Sequence, residues 1–205
     1  MRRIPEVGRT PLAEVALADL VPGAKLTERG VVVGPREDLQ VPAPPMIALI
    51  SRLFPRGDPI LSEAGPRDAG AFAVLHAAAF RRGWSEGEFE QLLLDRHVIA
   101  HRAAVADSIV AFILSRLVAG EAEILSVAIS PSRRGKGLGR QLLDHHLRRL
   151  AGLGARAVFL EVDANNVPAR RLYQRAGFRS VGRRDGYYPT GQGSAALILR
   201  RDVGG

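Results

Sequence analysis

An α/β fold built on a mixed sheet is the architecture this sequence predicts, and three observations predict it. From about residue 60, strand-length apolar runs alternate with helix-length amphipathic ones. The stretch from 121 to 162 reads strand, glycine-rich loop, helix, strand, a crossover unit that requires two parallel strands at the sheet's centre. At 205 residues and 46% hydrophobic content, the chain can bury one good core but hardly two full domains.

Each element has a local cause. Ile60-Leu-Ser-Glu-Ala64 reads as a short strand, and Pro66 suits the first turn of a helix extending to about Arg82, where its missing N–H costs nothing. Ser85-Glu-Gly-Glu88 is a capping box that opens a second helix running to about Leu94. Strands follow at 97 to 103, 109 to 118 and 121 to 129, the last delivering the glycine loop. Leu138, Leu142, Leu143, Leu147 and Leu150 recur at helical spacing, which buries one face of a third helix, and Gly152 and Gly154 stop it. A strand at 155 to 162 precedes a short helix at 167 to 176 that ends at Gly177, and 178 to 187 and 194 to 200 are the last two strands.

Residues 1 to 45 differ. They carry six basic and six acidic residues, no aromatic and seven of the thirteen prolines, so they lack the bulky groups that would offset the entropy of ordering. The expectation is a flexible or poorly ordered Pro-rich extension over 1–45 and one catalytic domain over 46–205, with its core at about 60–202. Met46 opens a new apolar run, and a natural translation start there would make the upstream segment a gene-start artefact.

Composition excludes several classes. The chain has no cysteine, hence neither disulfides nor thiolate metal sites, and its five histidines lack His-Glu-x-x-His spacing, so no metal is expected. His97 and His101 stand four apart in a strand, where that spacing does not pair two rings as a helix would, so their reading is structural. Apolar runs such as 109 to 114 fall far short of the roughly twenty residues that cross a bilayer, and Glu6, Glu14 and Asp19 interrupt any apolar leader after Arg2-Arg3. No membrane role is expected, and the location expected is cytoplasmic. The formal charge of +8 falls entirely on residues 46 to 205, but as scattered arginines such as Arg81-Arg82 and Arg148-Arg149, with lysine only at 25 and 136. That pattern fits a solvated surface better than a nucleic-acid patch, and no direct nucleic-acid function is expected.

The chemistry starts in the loop after the third of these strands. Gly135, Gly137 and Gly139 remove side-chain bulk, and the free N–H groups of the following helix offer a positively polarised surface to an anion. A Walker loop would need Ser or Thr after its lysine, but Gly137 follows Lys136; a dinucleotide fingerprint would need glycine where Arg140 stands. What remains is Arg134-x-x-Gly137-x-Gly139. It resembles the acetyl-CoA pyrophosphate loop of the GNAT superfamily. A second segment, Asn166-x-x-Ala169-x-x-Leu172-Tyr173-x-x-x-Gly177-Phe178, preceded by Leu160-Glu161-Val162 and followed by Gly186-Tyr187-Tyr188-Pro189, is similar to the closing motif of that family, and in particular of its RimI-type ribosomal-protein alanine N-acetyltransferases.

The resemblance spans roughly residues 60 to 202 and implies a fold, a cofactor and roles. The fold implied is the GNAT α/β fold: a central mixed twisted sheet of about six to seven strands flanked by about four helices, with a V-shaped acetyl-CoA cleft between two parallel central strands. Cofactor contacts are implied for Val127, Ile129, Arg134, Gly135, Lys136, Gly137, Leu138, Gly139, Arg140 and Asn166, the last also an N-cap. Acetyl transfer to an amine needs the amine neutral, the thioester carbonyl polarised and the departing thiolate protonated. Glu161, at the carboxyl end of a central strand, suits the general base. Tyr173, protonated at neutral pH, suits the general acid, and both are expected to face the thioester from one side of the sheet. Tyr187 and Tyr188 would line the acceptor's entrance, with Trp84 and Phe89 as an opposite wall.

An α-amine acceptor is favoured on energy. It titrates near 7.7 to 8 against about 10.4 for lysine, so a neutral lysine at pH 7 costs about 3.5 kcal/mol more to present. The function expected is transfer of acetyl from acetyl-CoA to the N-terminal amine of a protein, an alanine of a small-subunit ribosomal protein, by a monomer or weak dimer. Two alternatives stand beside it. A small-molecule amine or lysine acetyltransferase would be less sensitive to changes at Tyr187 and Tyr188, and a non-catalytic acetyl-CoA sensor or RNA-associated module would not need Glu161 and Tyr173.

Overall fold

The computed structural model describes residues 57–80, 82–185 and 195–204. The proposed extension over 1–45 and the Tyr187-Tyr188 corner therefore lie outside the described residues. Among the described residues the seven strands are β1 (Ile60–Glu63), β2 (Val98–Val105), β3 (Ser108–Val118), β4 (Glu121–Ile129), β5 (Ala157–Asp163), β6 (Arg179–Arg184) and β7 (Ala196–Asp202). The four α-helices among them are α1 (Ala69–Ala77), α2 (Glu86–Leu94), α3 (Leu138–Gly152) and α4 (Val167–Arg175).

All strands join one sheet in the order β1-β2-β3-β4-β5-β7-β6. Every neighbouring pair is antiparallel except β4 and β5, the parallel pair that the crossover required. That pair is short. Its register covers only Glu121↔Ala157, Ala122↔Val158 and Glu123↔Phe159, after which the strands part and leave a V-shaped split. β7 completes the far side of β5 along its whole length, from Ala157↔Asp202 to Asp163↔Ala196.

Alternation along the strands makes two cores. Val110, Ile113, Ile124, Val127, Ile129, Leu160 and Val162 pack with Leu138, Leu142, Leu147 and Leu150 of α3 and with Ala169 and Tyr173 of α4. Phe112, Leu114, Leu125 and Ala128 face the other way, onto Phe72 of α1 and Phe89 of α2. Phe72 stacks on Phe112 with ring centroids 4.2 Å apart, and Phe89 meets Phe72 edge-on at 5.8 Å. Fully burying each such side chain contributes about 1.5–3 kcal/mol.

The helix expected from Pro66 to Arg82 is shorter and begins differently. Pro66–Asp68 forms a 3-10 turn, and α1 ends at Ala77. Asp68 has two tasks at the entry: it accepts from the Gly65 N–H at 3.0 Å and pairs with Arg102 of β2 at 3.2 Å, which ties the turn to the sheet. At the exit the Trp84 N–H donates to His76 Nδ1 at 3.0 Å, so the chain folds back on α1 instead of prolonging it. The Ser85 to Glu88 capping box forms as expected, with Glu88 accepting from the Ser85 N–H at 2.7 Å. Trp84 therefore precedes α2, one residue before the capping Ser85.

Candidate active site

The loop leaving β4 has the shape the glycines require. After Ile129 a 3-10 turn, Pro131–Arg133, leads to Gly135 at φ +72° and Gly137 at φ +82°, left-handed conformations that a side chain resists by roughly 1–2 kcal/mol. Gly137 caps α3 and has no side chain to satisfy the helix's first N–H groups. Arg140 and Gln141 already donate to the Gly137 carbonyl, so the N–H groups of Leu138 and Gly139 are the open pair. Gly139 is small for another reason: a Cβ there would come 2.7 Å from Ile129 Cδ1.

The basic side chains of the loop brace it. Arg134 Nε donates to the Ile129 carbonyl at 3.0 Å and Lys136 Nζ to the Ser132 carbonyl at 2.9 Å. Burial lowers the Arg134 pKa, yet a guanidinium remains a cation at neutral pH. Arg140 bonds Asp144 and the Arg175 carbonyl, both at 2.6 Å, which joins the start of α3 to the end of α4.

The edge of β4 facing the split is available. The Ser130 N–H bonds the Val110 carbonyl on β3, and strand alternation then turns the backbone groups of Val127 and Ile129 toward the split, where β4 has no strand partner. Their side chains are buried in the α3 core. An amide-bearing chain laid along this edge would extend the sheet's hydrogen bonding. Asn166 caps α4, its Oδ1 accepting from the Ala169 N–H at 3.1 Å.

Glu161 lies on β5 beyond its last rung with β4, and Tyr173 lies on α4, but the two do not share one side of the sheet. Leu160 and Val162 point into the α3/α4 core, so Glu161 between them lies on the α1/α2 face, whereas Tyr173 of α4 packs within the α3/α4 core against Phe178. The expectation of a shared face is thus corrected, and the cause is the two-residue period of β5. Among the described residues no strand pairs with β4 beyond Glu123 on the β5 side.

Both side chains carry an unsatisfied atom. Glu161 is 7% exposed; its Oε1 lies 3.2 Å from Arg184, and its buried Oε2 has no hydrogen-bond partner among the described residues. Tyr173 is fully buried, its hydroxyl is also unpartnered, and burial pushes its pKa above the ordinary tyrosine value. Orphaned buried polar groups cost about 1–3 kcal/mol each.

The sequence reading missed Glu123. It sits on the last paired rung before β4 and β5 part, opposite Phe159 and on the α1/α2 face with Glu161. Burial raises its carboxyl pKa first, and the Glu161 charge raises it further, against the lowering pull of Arg116 and Arg184. Only the β4/β5 register reveals the pairing, because the two carboxylates stand far apart in sequence. Arg184 and Arg200, the latter 5.5 Å over the Phe159 ring, complete this floor. Phe89 is buried in the aromatic core and Trp84 partly so, which leaves packing as their visible role. No three His, Cys, Asp or Glu among the described residues are placed to hold a metal. No helix among those residues is long and apolar enough to cross a membrane.

A sheet split between two parallel strands and a glycine loop capping the helix after the first of them are the architecture of a GNAT-type acetyltransferase. The chain belongs to that family: residues 71–178 match the Acetyltransferase (GNAT) family. Its particular relatives include the [ribosomal protein bS18]-alanine N-acetyltransferase of Salmonella typhimurium, 35% identical over 116 residues that cover 57% of this chain and 78% of the relative. An uncharacterised protein of Mycobacterium leprae is 31% identical over 180 residues, covering 81% of this chain and 49% of that protein. The crystal structure of the ribosomal-protein-S18-alanine N-acetyltransferase from Escherichia coli superposes with a TM-score of 0.67 at 28% identity, over 72% of this chain and 95% of that one. Arabidopsis thaliana NAA60 in complex with acetyl-CoA shares the fold, with a TM-score of 0.64 at 20% identity, over 72% of this chain and 99% of that one.

Proposed function

We propose that this chain transfers acetyl from acetyl-CoA to the N-terminal α-amine of a protein, an N-terminal alanine of a small-subunit ribosomal protein. The observation that supports the reading is a pair of buried, unpartnered atoms, Glu161 Oε2 on β5 and the Tyr173 hydroxyl on α4. The likeness to the alanine N-acetyltransferases of Salmonella typhimurium and Escherichia coli supports the acceptor class.

The donor brings an activated thioester. The loop residues Arg134 to Arg140 hold its diphosphate, chiefly through the N–H groups of Leu138 and Gly139, with Lys136 and Arg140 adding positive charge. Val127 and Ile129 bond the pantetheine amides along the open edge of β4, and Asn166 borders the same arm. The acceptor enters over the α1/α2 face, and Tyr187 and Tyr188, outside the described residues, contact it. Glu161 Oε2 takes a proton from the α-ammonium; the freed nitrogen attacks the thioester carbonyl, the C–N bond forms and the C–S bond breaks. Tyr173 gives its proton to the departing sulfur and regains one from solvent, to which the new amide nitrogen loses its second proton and Glu161 releases the one it took.

Opposite flanks suit this chemistry. The nucleophile approaches the carbonyl on one side while the sulfur departs on another, so base and acid do not compete for one position. Arg184 pairs with Glu161 Oε1, and burial keeps Tyr173 protonated. The catalytic unit is residues 46 to 205, acting in the cytoplasm. The test is free thiol released from acetyl-CoA in the presence of peptides with free or blocked N-termini. Release must require a free α-amine and must fall together in Glu161→Gln and Tyr173→Phe.

A further inference from the structure

On the α3 side of the sheet, three polar side chains that acetyl transfer does not use are buried in a row. Ser115 of β3, His146 of α3 and His101 of β2 are each at most 1% exposed. His146 Nε2 lies 2.7 Å from Ser115 Oγ, and His146 Nδ1 lies 2.7 Å from His101 Nδ1. Burial pushes both rings below the ordinary histidine value, His101 to about 4, so both are neutral near pH 7.

With both rings neutral, each contact holds one proton, and only two arrangements do this. In one, Ser115 O–H donates to His146 Nε2, His146 Nδ1–H donates to His101 Nδ1, and His101 Nε2 carries an outward N–H. In the other every donor becomes an acceptor, and His101 Nε2 presents a lone pair. The row therefore ends in one ring nitrogen whose character depends on what it faces.

It faces a pocket. His101 lines a cavity of about 480 Å³ together with Ser62, Glu63, His145, Arg148 and Arg149. Arg149 pairs with Glu63 at 3.1 Å, while Arg148 has no ion pair among the described residues. Two guanidinium groups against one carboxylate leave a net positive mouth, and guanidinium groups can only donate.

We propose that this pocket binds an anionic group, a phosphate or a carboxylate, with His101 Nε2–H and Arg148 as its donors and Arg149 beside them. Only the first proton arrangement suits such a ligand, so occupancy fixes the direction of the whole row. Its inner end, Ser115, sits where the β3/β4 register shifts between Leu114 and Ser115. Ser115 shares a rung with Ile124 of β4, the strand that forms one wall of the split.

The test is a titration of the full chain with inorganic phosphate and, separately, with acetate, read on histidine ring nitrogens by NMR. The expected result is a saturable shift of the His101 ring toward the Nε2–H form, weakened about tenfold in Arg148→Gln. Arg148 is exposed, so that variant keeps the fold. Response to phosphate alone identifies a phosphorylated ligand, and equal response to acetate a carboxylate. Shifts confined to the amides around Gly137 and Gly139 would locate the anion at the α3 terminus and overturn the proposal. So would a His101 ring unmoved by either anion up to roughly 10 mM, or binding that Arg148→Gln leaves unchanged.

Discussion

Replacing Tyr173 with Phe separates the two things a buried phenol can do. If its hydroxyl only packed, deletion would be silent in activity; if it bonded within the protein, deletion would cost stability. The hydroxyl is fully buried with no partner, which costs the native state about 1–3 kcal/mol. Phe fills the same ring volume against Phe178, whose centroid lies 5.6 Å away, so the packing stays. Stability is expected to hold or rise by about 1 kcal/mol, a gain of roughly 2–4 °C in Tm for a domain of this size. Loss of a general acid is expected to lower kcat about 10²- to 10⁴-fold. KM for acetyl-CoA should stay near the parent value, because the glycine loop is untouched. Thermal melts and a thiol-release assay on the same preparation read both quantities. A variant less stable by more than about 1 kcal/mol, with kcat unchanged, would refute the reasoning.

Three further outcomes follow from the geometry. Gly137→Ala places a side chain at φ +82° with open space around its Cβ, so strain alone should cost about 1–2 kcal/mol in denaturant melts, and KM for acetyl-CoA should rise as the loop shifts. Glu123 has a folded-state pKa raised by burial and by Glu161, so its ionisation opposes folding from its ordinary value of 4.5 upward. Glu123→Gln should therefore be at least as stable as the parent at pH 7, and the parent should regain ground on it as pH falls toward 4.5. His76 and His101 are each lowered from 6.5 to about 4, mainly by burial, so the unfolded chain binds protons that the native one refuses. Native stability is complete above pH 6.5 and is lost as pH falls from there toward 4; melts across that range should show the slope, and it should diminish in His76→Phe.

Local signals made much of this readable. The apolar run ending at Ile129 and the glycines after it fix β4 and the start of α3, because periodicity and backbone freedom are properties of neighbouring residues. The capping roles of Ser85 and Asn166 were legible for the same reason. Where the reading erred, the cause was distant. α1 stops at Ala77 because Trp84, eight residues on, bonds His76, and no Gly or Pro stands at the stop itself. Glu161 and Tyr173 were placed on one face because spacing along the chain does not reveal which way a strand residue points until its neighbours' packing is known. Glu123 joins the face of Glu161 only through the rung it shares with Phe159. The Ser115, His146 and His101 row joins partners 31 and 45 residues apart, a separation no motif spans.

The most direct measurement is the position of the acetyl group on a peptide that begins with alanine and contains an internal lysine, incubated with acetyl-CoA and located by fragment mass spectrometry. Acetyl on the alanine α-amine, lost in Glu161→Gln and matched by one thiol released per peptide modified, is the predicted result. Acetyl on the lysine alone, or transfer undiminished in Glu161→Gln, would contradict it.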